Sequence, residues 1–172
     1  INSGISDSTP LYNVLLKIFG TNQIAGNVFS LGLVICMAFL LVGFNTSVFF
    51  INERTFLPAL FYILLNSIFR QHQMLNPALP AAIFLILAIM RIMDSYRKQG
   101  FASNFFDAGL LISTGTLFYS DLIWFALIIF LGMISLRRVN ISEIFAAITG
   151  LVTPLLITAG IYFILEKDPV MF

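Results

Sequence analysis

The chain has 172 residues, of which 59% are hydrophobic, with nine basic and eight acidic side chains and a net charge of +1. Soluble domains carry roughly 45–50% apolar and about 25% charged residues, so a charged fraction of 10% excludes a disordered chain, a nucleic-acid binder and a cytosolic enzyme. It fits an all-α, polytopic transmembrane helix bundle, in which each crossing takes about 20 mostly apolar residues.

Residues 1–27 form a polar loop that contains an amphipathic helix over 10–19. Thr9 is the expected N-cap, Pro10 occupies the first helical position and Gly20 is the terminator. Leu11, Val14, Leu15 and Ile18 recur at helical spacing, widened by Tyr12 and Phe19, while Asn13 and Lys17 make a polar stripe. That pattern predicts a helix lying in the headgroup layer. The start, Ile1-Asn-Ser-Gly, has neither the basic region nor the apolar run of a signal peptide. The absence of an initial Met suggests a piece of a longer membrane protein.

The bundle itself occupies 28–165, with a tail at 166–172. Charges divide it into six apolar runs: Val28 to Phe50, Thr55 to Phe69, Gln71 to Met90, Ala108 to Ser120, Leu122 to Leu136 and Ile144 to Leu165. Helix is the expected state, because lipid offers no partner for open backbone groups. Three runs are short, reaching roughly 20–23 Å of a core about 30 Å thick. The fourth can extend backwards through Phe101, carrying Asp107 into the membrane. Ser120 or Asp121 is the expected N-cap of the fifth helix, which makes a tight hairpin with the fourth. Pro58 and Pro77 lie near span starts, and Pro154 predicts a kink in the last span. There is no Gly-x-x-x-Gly pair, the standard motif for close helix contact.

With six spans, Lys17, Arg70 and Lys167 share one side, and Arg54, Arg91, Arg97, Lys98, Arg137 and Arg138 share the other. The positive-inside bias assigns the second set to the cytoplasm. Both ends then face the periplasm of a bacterial inner membrane. The outward side gathers Asp7, Lys17, Arg70, His72 and Asp121. Arg suits bidentate phosphate binding and His can donate to phosphate or exchange a proton. A carboxylate base beside a cationic phosphate site is the minimum needed to transfer a group from a lipid phosphate.

An outward acidic loop, an amphipathic juxtamembrane helix, a long span, a basic turn at Asn52-Glu-Arg54 and short paired helices follow in that order. This order resembles the N-terminal half of the C-type membrane glycosyltransferases, which use polyprenyl-phosphate sugars. The stretches Ile18-Phe-Gly-Thr-Asn-Gln-Ile-Ala-Gly-Asn-Val-Phe-Ser30 and Gly109-Leu-Leu-Ile-Ser-Thr-Gly-Thr-Leu-Phe-Tyr119 are similar to theirs. The resemblance implies a catalytic role for Asp7, beside which this chain has Ser8 in place of a second acid. Arg70 and His72 would then hold the lipid-linked phosphate. The chain resembles more closely an uncharacterised family of bacterial multi-pass inner-membrane proteins. That likeness runs through Asn52-Glu-Arg-Thr-Phe-Leu-Pro-Ala-Leu-Phe-Tyr62, Phe106-Asp-Ala-Gly109, Leu117-Phe-Tyr119 and Ile148-Thr-Gly-Leu-Val-Thr-Pro154, and implies no activity.

Asp107 is the intramembrane ionisable residue. It is expected to pair with Arg91 or Arg97, to cap a helix after a break at Gly100 to Asn104, or to be a proton or cation site. Arg91, Asp94 and Lys98 read as a charged continuation of the third helix, and Cys36 as a small apolar residue. One His and one Cys give no metal cluster, and no cofactor motif is present. Three functions fit: a glycosyltransferase-like scaffold working on a polyprenyl-phosphate lipid, a non-catalytic subunit that anchors or assembles other membrane subunits, and a transporter using Asp107. All three have the lipid bilayer as partner, and none involves nucleic acid.

Overall fold

The computed structural model describes residues 9–19, 23–48, 56–68, 76–97, 102–136 and 140–164. Among these residues the structure is helical. The helices are α1 (Pro10–Phe19), α2 (Gln23–Val48), α3 (Leu57–Ile68), α4 (Ala78–Arg97), α5 (Ala102–Thr116), a 3₁₀ helix (Ser120–Phe125), α6 (Ala126–Leu136) and α7 (Ile141–Ile164). Three of them contain segments long and apolar enough to cross a membrane: Ile24–Thr46, Ala78–Ser95 and Ile141–Ile164. Pro10–Phe19, Leu57–Ile68 and Ser120–Ile134 are apolar but shorter.

Helices α3, α2, α4, α5 and α7 pack as a row in that spatial order, and the 3₁₀ helix and α6 lie against the α4–α5 pair. The most extensive contact is between α5 and α7, followed by α4 with α5. The core is built around α5: Phe105, Ala108 and Ile112 meet Ala88 and Ile92 of α4, Ile129 and Met133 of α6, and Ala147 of α7. Most other apolar side chains point outward. On α2 the exposed stripe Ile24, Val28, Leu31, Ile35 and Phe39 repeats every three to four residues, which makes it one helix face. Cys36 is on that exposed side, with its thiol free.

Close approach of α5 and α7 depends on glycine. A methyl group on Gly109 would come within 2.6 Å of the Ala147 carbonyl oxygen, and one on Gly150 would strike the Phe106 carbonyl. Each helix supplies one glycine, and Ala147 and Ala108 extend the small surface. The two backbones therefore touch without the Gly-x-x-x-Gly repeat. Small residues favour helix association in lipid because apolar side chains gain nothing by leaving hydrocarbon for a protein interior.

Several local signals work differently from expectation. Thr9 is the backbone N-cap of α1, since its carbonyl accepts from Asn13 N–H at 3.0 Å, but its hydroxyl donates to the Phe118 carbonyl at 2.8 Å. Neither Ser120 nor Asp121 caps the helix after the turn. Tyr119 precedes a 3₁₀ helix without a side-chain cap bond, and regular α-helix begins only at Ala126. At α4 the expected start signal operates: the Asn76 side-chain oxygen accepts from Ala78 N–H at 3.0 Å, with Pro77 between them. Helix α7 runs through Pro154. Thr153 and Thr158 hydroxyls donate to the Thr149 and Pro154 carbonyls around it, adding side-chain bonds where proline removes a backbone one.

Candidate functional site at the α1 end of the bundle

The end of the bundle where α4 begins and α5 finishes is closely packed. Gly115 lies against Leu122 and sits 3.2 Å, measured from the position of an added methyl, from the Phe84 side chain. The rings of Phe84 and Phe118 stack with centroids 5.7 Å apart. Helix α1 docks onto this end. Besides the Thr9 hydroxyl bond, Leu11 N–H donates to the Leu117 carbonyl at 3.2 Å. The first N–H groups of a helix have no partner inside it, so one of them is satisfied here by a carbonyl freed at the end of α5. At its other end α1 is held by Phe19, whose ring stacks on Phe29 of α2 at 4.6 Å. Helix α1 is thus a strap running from the α5–α6 turn to α2.

The strap has three surfaces. Leu11, Tyr12, Leu15 and Phe19 face inward and are half-buried, and burial raises the Tyr12 hydroxyl above the usual phenol range. Val14, Leu16 and Ile18 are apolar and exposed, while Asn13 and Lys17 form the exposed polar edge. Nearby on the 3₁₀ helix, Asp121 is exposed and Trp124 is 72% exposed. An exposed Trp at a helix end is the usual composition of a membrane–water boundary. The strap therefore brings the start of α1 to the turn that immediately precedes Asp121. Lys17 lies further along the strap, toward α2.

Three of the expected site residues, Asp7, Arg70 and His72, lie outside the described residues. Asp107 lies elsewhere. It is within α5, so it does not cap that helix, and its carboxylate faces the Arg91 guanidinium of α4 with Nε to Oδ2 at 3.7 Å. Of the expected partners it therefore takes Arg91. The pair sits at the opposite end of the bundle from α1, near the last turns of α4 and the first turns of α5.

Composition did not single out Glu143, in the first turn of α7, or Ser30 and Ser113, which face helix neighbours. Glu143 is buried, and its backbone N–H donates to the Asn140 carbonyl at 3.0 Å. The hydroxyls of Ser30 and Ser113 are buried and make no hydrogen bond among the described residues. Helical position alone gave no signal for any of the three, because which face of an almost wholly apolar helix turns inward is set by its neighbours.

Residues 9–170 match a family of unknown function, DUF6427. The chain belongs to that family. The match covers the α1 strap and the whole bundle. It agrees with the resemblance to an uncharacterised family and assigns no activity. No curated protein matches the chain, and no solved structure matches it.

Proposed function

We propose that the chain is a multi-pass membrane scaffold whose working end is the one crossed by α1. It would handle a lipid-linked phosphate there in the manner of a C-type glycosyltransferase. The observation that carries this reading is the docking of Thr9 and Leu11 on the Phe118 and Leu117 carbonyls. Asp7 precedes Thr9 by two residues, so this contact ties the acid-bearing segment to the connection that holds Asp121. In this proposal α3 and the helices around Asp121 are shorter crossings that raise the number of spans to six. Lys17 lies in the headgroup layer, Asp7 takes the proton from an acceptor, and Arg70 and His72 hold the phosphate. The membrane is a bacterial inner membrane with this end outward. In the intact protein, Asp7→Asn should abolish sugar transfer from a polyprenyl-phosphate donor. Undiminished transfer by that variant removes Asp7 as the base.

A second reading, a non-catalytic subunit that anchors or assembles a complex, is favoured by α3. Phe56, Leu57, Leu60, Phe61, Leu65 and Ile68 are each at least half exposed around this helix. Such a helix could take a partner subunit on several sides. On that reading the protein co-purifies with fixed partners in mild detergent and Asp7→Asn changes nothing. A transporter reading would use Asp107, which faces Arg91.

A further inference from the structure

The Arg91–Asp107 pair has no place in the proposed function, and its contact is a loose one. At 3.7 Å the contact is longer than a charge-assisted hydrogen bond, which runs about 2.7–2.9 Å. Among the described residues neither side chain makes a hydrogen bond, and the two are 51% and 42% exposed. Among the described residues the guanidinium's N–H groups and the carboxylate's lone pairs are therefore left without a hydrogen-bond partner. Arg91 lies in Ala78–Ser95, a segment long and apolar enough to cross a membrane, and in a bilayer an outward group there meets lipid.

Depth narrows what can meet them. Arg91 lies six residues before the end of α4 at Arg97, and Asp107 five residues after the start of α5 at Ala102. At 1.5 Å per residue the pair is about 7–9 Å in from both helix ends. That is near the level where headgroups give way to hydrocarbon, since the polar layer on each side is about 5–7 Å thick. Charge narrows it further. At the pair itself a purely anionic headgroup would meet the Asp107 carboxylate beside Arg91, while further along α4 Asp94 is offset in charge by Arg97. A purely cationic group would be repelled by Arg91. A group carrying both charges close together fits both.

We propose that Arg91 and Asp107 seat the headgroup of an aminophospholipid, the guanidinium taking the phosphodiester and the carboxylate taking the primary ammonium. Guanidinium forks match phosphate oxygens. A primary ammonium can donate hydrogen bonds to the carboxylate, whereas a trimethylated one of the same charge cannot. The seat therefore selects N–H donors as well as charge. It lies at the other end of the bundle from α1, so it stands or falls independently of the proposed function.

The test uses the full chain in detergent, delipidated and supplied with defined lipids, with retained lipid read by native mass spectrometry. Phosphatidylethanolamine should be retained about tenfold over phosphatidylcholine, the effect of one well-formed charge-assisted hydrogen bond. The mono- and dimethylated headgroups should fall between them in order. Asp107→Asn should bring that ratio to one, Asp107→Glu should keep it, and Arg91→Gln should lower retention of every phospholipid. The methylation series on the unaltered protein decides the matter even where a variant fails to fold. Equal retention across the series overturns the proposal, as does a preference for phosphatidylglycerol. Reciprocal cross-linking of Arg91→Cys to Asp107→Cys between copies would also overturn it, by showing that a second copy covers the pair.

Discussion

The α5–α7 and α2–α3 contacts make opposite use of apolar residues. In α5, Phe105, Ala108, Gly109, Ile112, Ser113, Gly115 and Thr116 are all buried, although its sequence includes Asn104, Asp107 and several small polar residues. Eight of the twelve residues of helix α3 are Leu, Ile, Phe or Ala, and none of its residues is buried. In water that ranking would be reversed, because burial would follow hydrophobicity. In a bilayer an exposed Leu is already solvated by hydrocarbon. What brings helices together is backbone approach and shape, which α5 and α7 achieve with Gly109, Ala147 and Gly150. The less apolar helix is consequently the central one.

The sharpest way to break this contrast is to remove buried volume from α5 and the same kind of side chain from α3. Ile112 is 1% exposed and lies in the core cluster. Ile112→Ala should destabilise by about 2–4 kcal/mol, the range for large-to-small core changes. Leu64, 52% exposed on α3, should lose well under 1 kcal/mol on Leu64→Ala. Reversible unfolding of both variants in the same detergent measures the difference. Equal losses would mean that α3 is as tightly packed as α5, in contradiction to its exposure.

Adding volume should be almost as damaging at the crossing. Gly150→Ala places a methyl group against the Phe106 backbone carbonyl, which cannot rotate away. The helices must separate, at a cost of about 1–3 kcal/mol. Gly32, Gly43 and Gly160 have open space where a methyl would go. Alanine there should be neutral or stabilising by about 0.5–1 kcal/mol, through helix propensity alone. Melting temperatures should thus fall for Gly150→Ala and hold or rise for Gly43→Ala.

A smaller effect is expected at the α1 strap. Thr9→Val removes the hydroxyl bond to the Phe118 carbonyl while keeping the side chain's shape. One such bond contributes about 1 kcal/mol. The Leu11 N–H bond to Leu117 and the Phe19–Phe29 stack remain. Global stability should change little, but amide exchange across residues 10–19 should speed up several-fold more than exchange in α5.

These contrasts also separate what could be read in the sequence from what could not. Helix class follows from the backbone's need for internal partners, and of the six runs marked by the spacing of charges, the first, third and sixth fall on segments able to cross a bilayer. The placing of Pro77 near the start of α4 and the Arg91–Asp107 pair were readable, since proline is tolerated at helix starts and an intramembrane acid needs a nearby counter-charge, but the Asn76 cap was not read. Nor was the glycine crossing. Gly109 and Gly150 are 41 positions apart, and nothing local marks them as partners. The second partner of Thr9 escaped for the same reason, because Phe118 is distant in sequence. Asp121 looked like a helix cap, but the turn after Tyr119 tightens into a 3₁₀ helix in which the Tyr119 carbonyl accepts from Leu122 N–H.

The comparison rests on taking exposure to mean contact with hydrocarbon, and Cys36 tests that directly with the least disturbance of the fold. Its thiol is free and exposed on the apolar outer face of α2, roughly mid-way between Gln23 and Val48. An exposed thiol in water is open to polar reagents, which hydrocarbon excludes. In intact membranes Cys36 should therefore resist a charged maleimide and react readily only after denaturation. A cysteine introduced at Asn13, on the polar edge of α1, should react without denaturation. Cys36→Ser should leave folding almost unchanged, because a small hydroxyl in a helix can bond back to its own backbone. Rapid labelling of native Cys36 by the charged reagent would mean that this face of α2 lines water, and the apolar stripe from Ile24 to Phe39 would then need a protein partner rather than lipid.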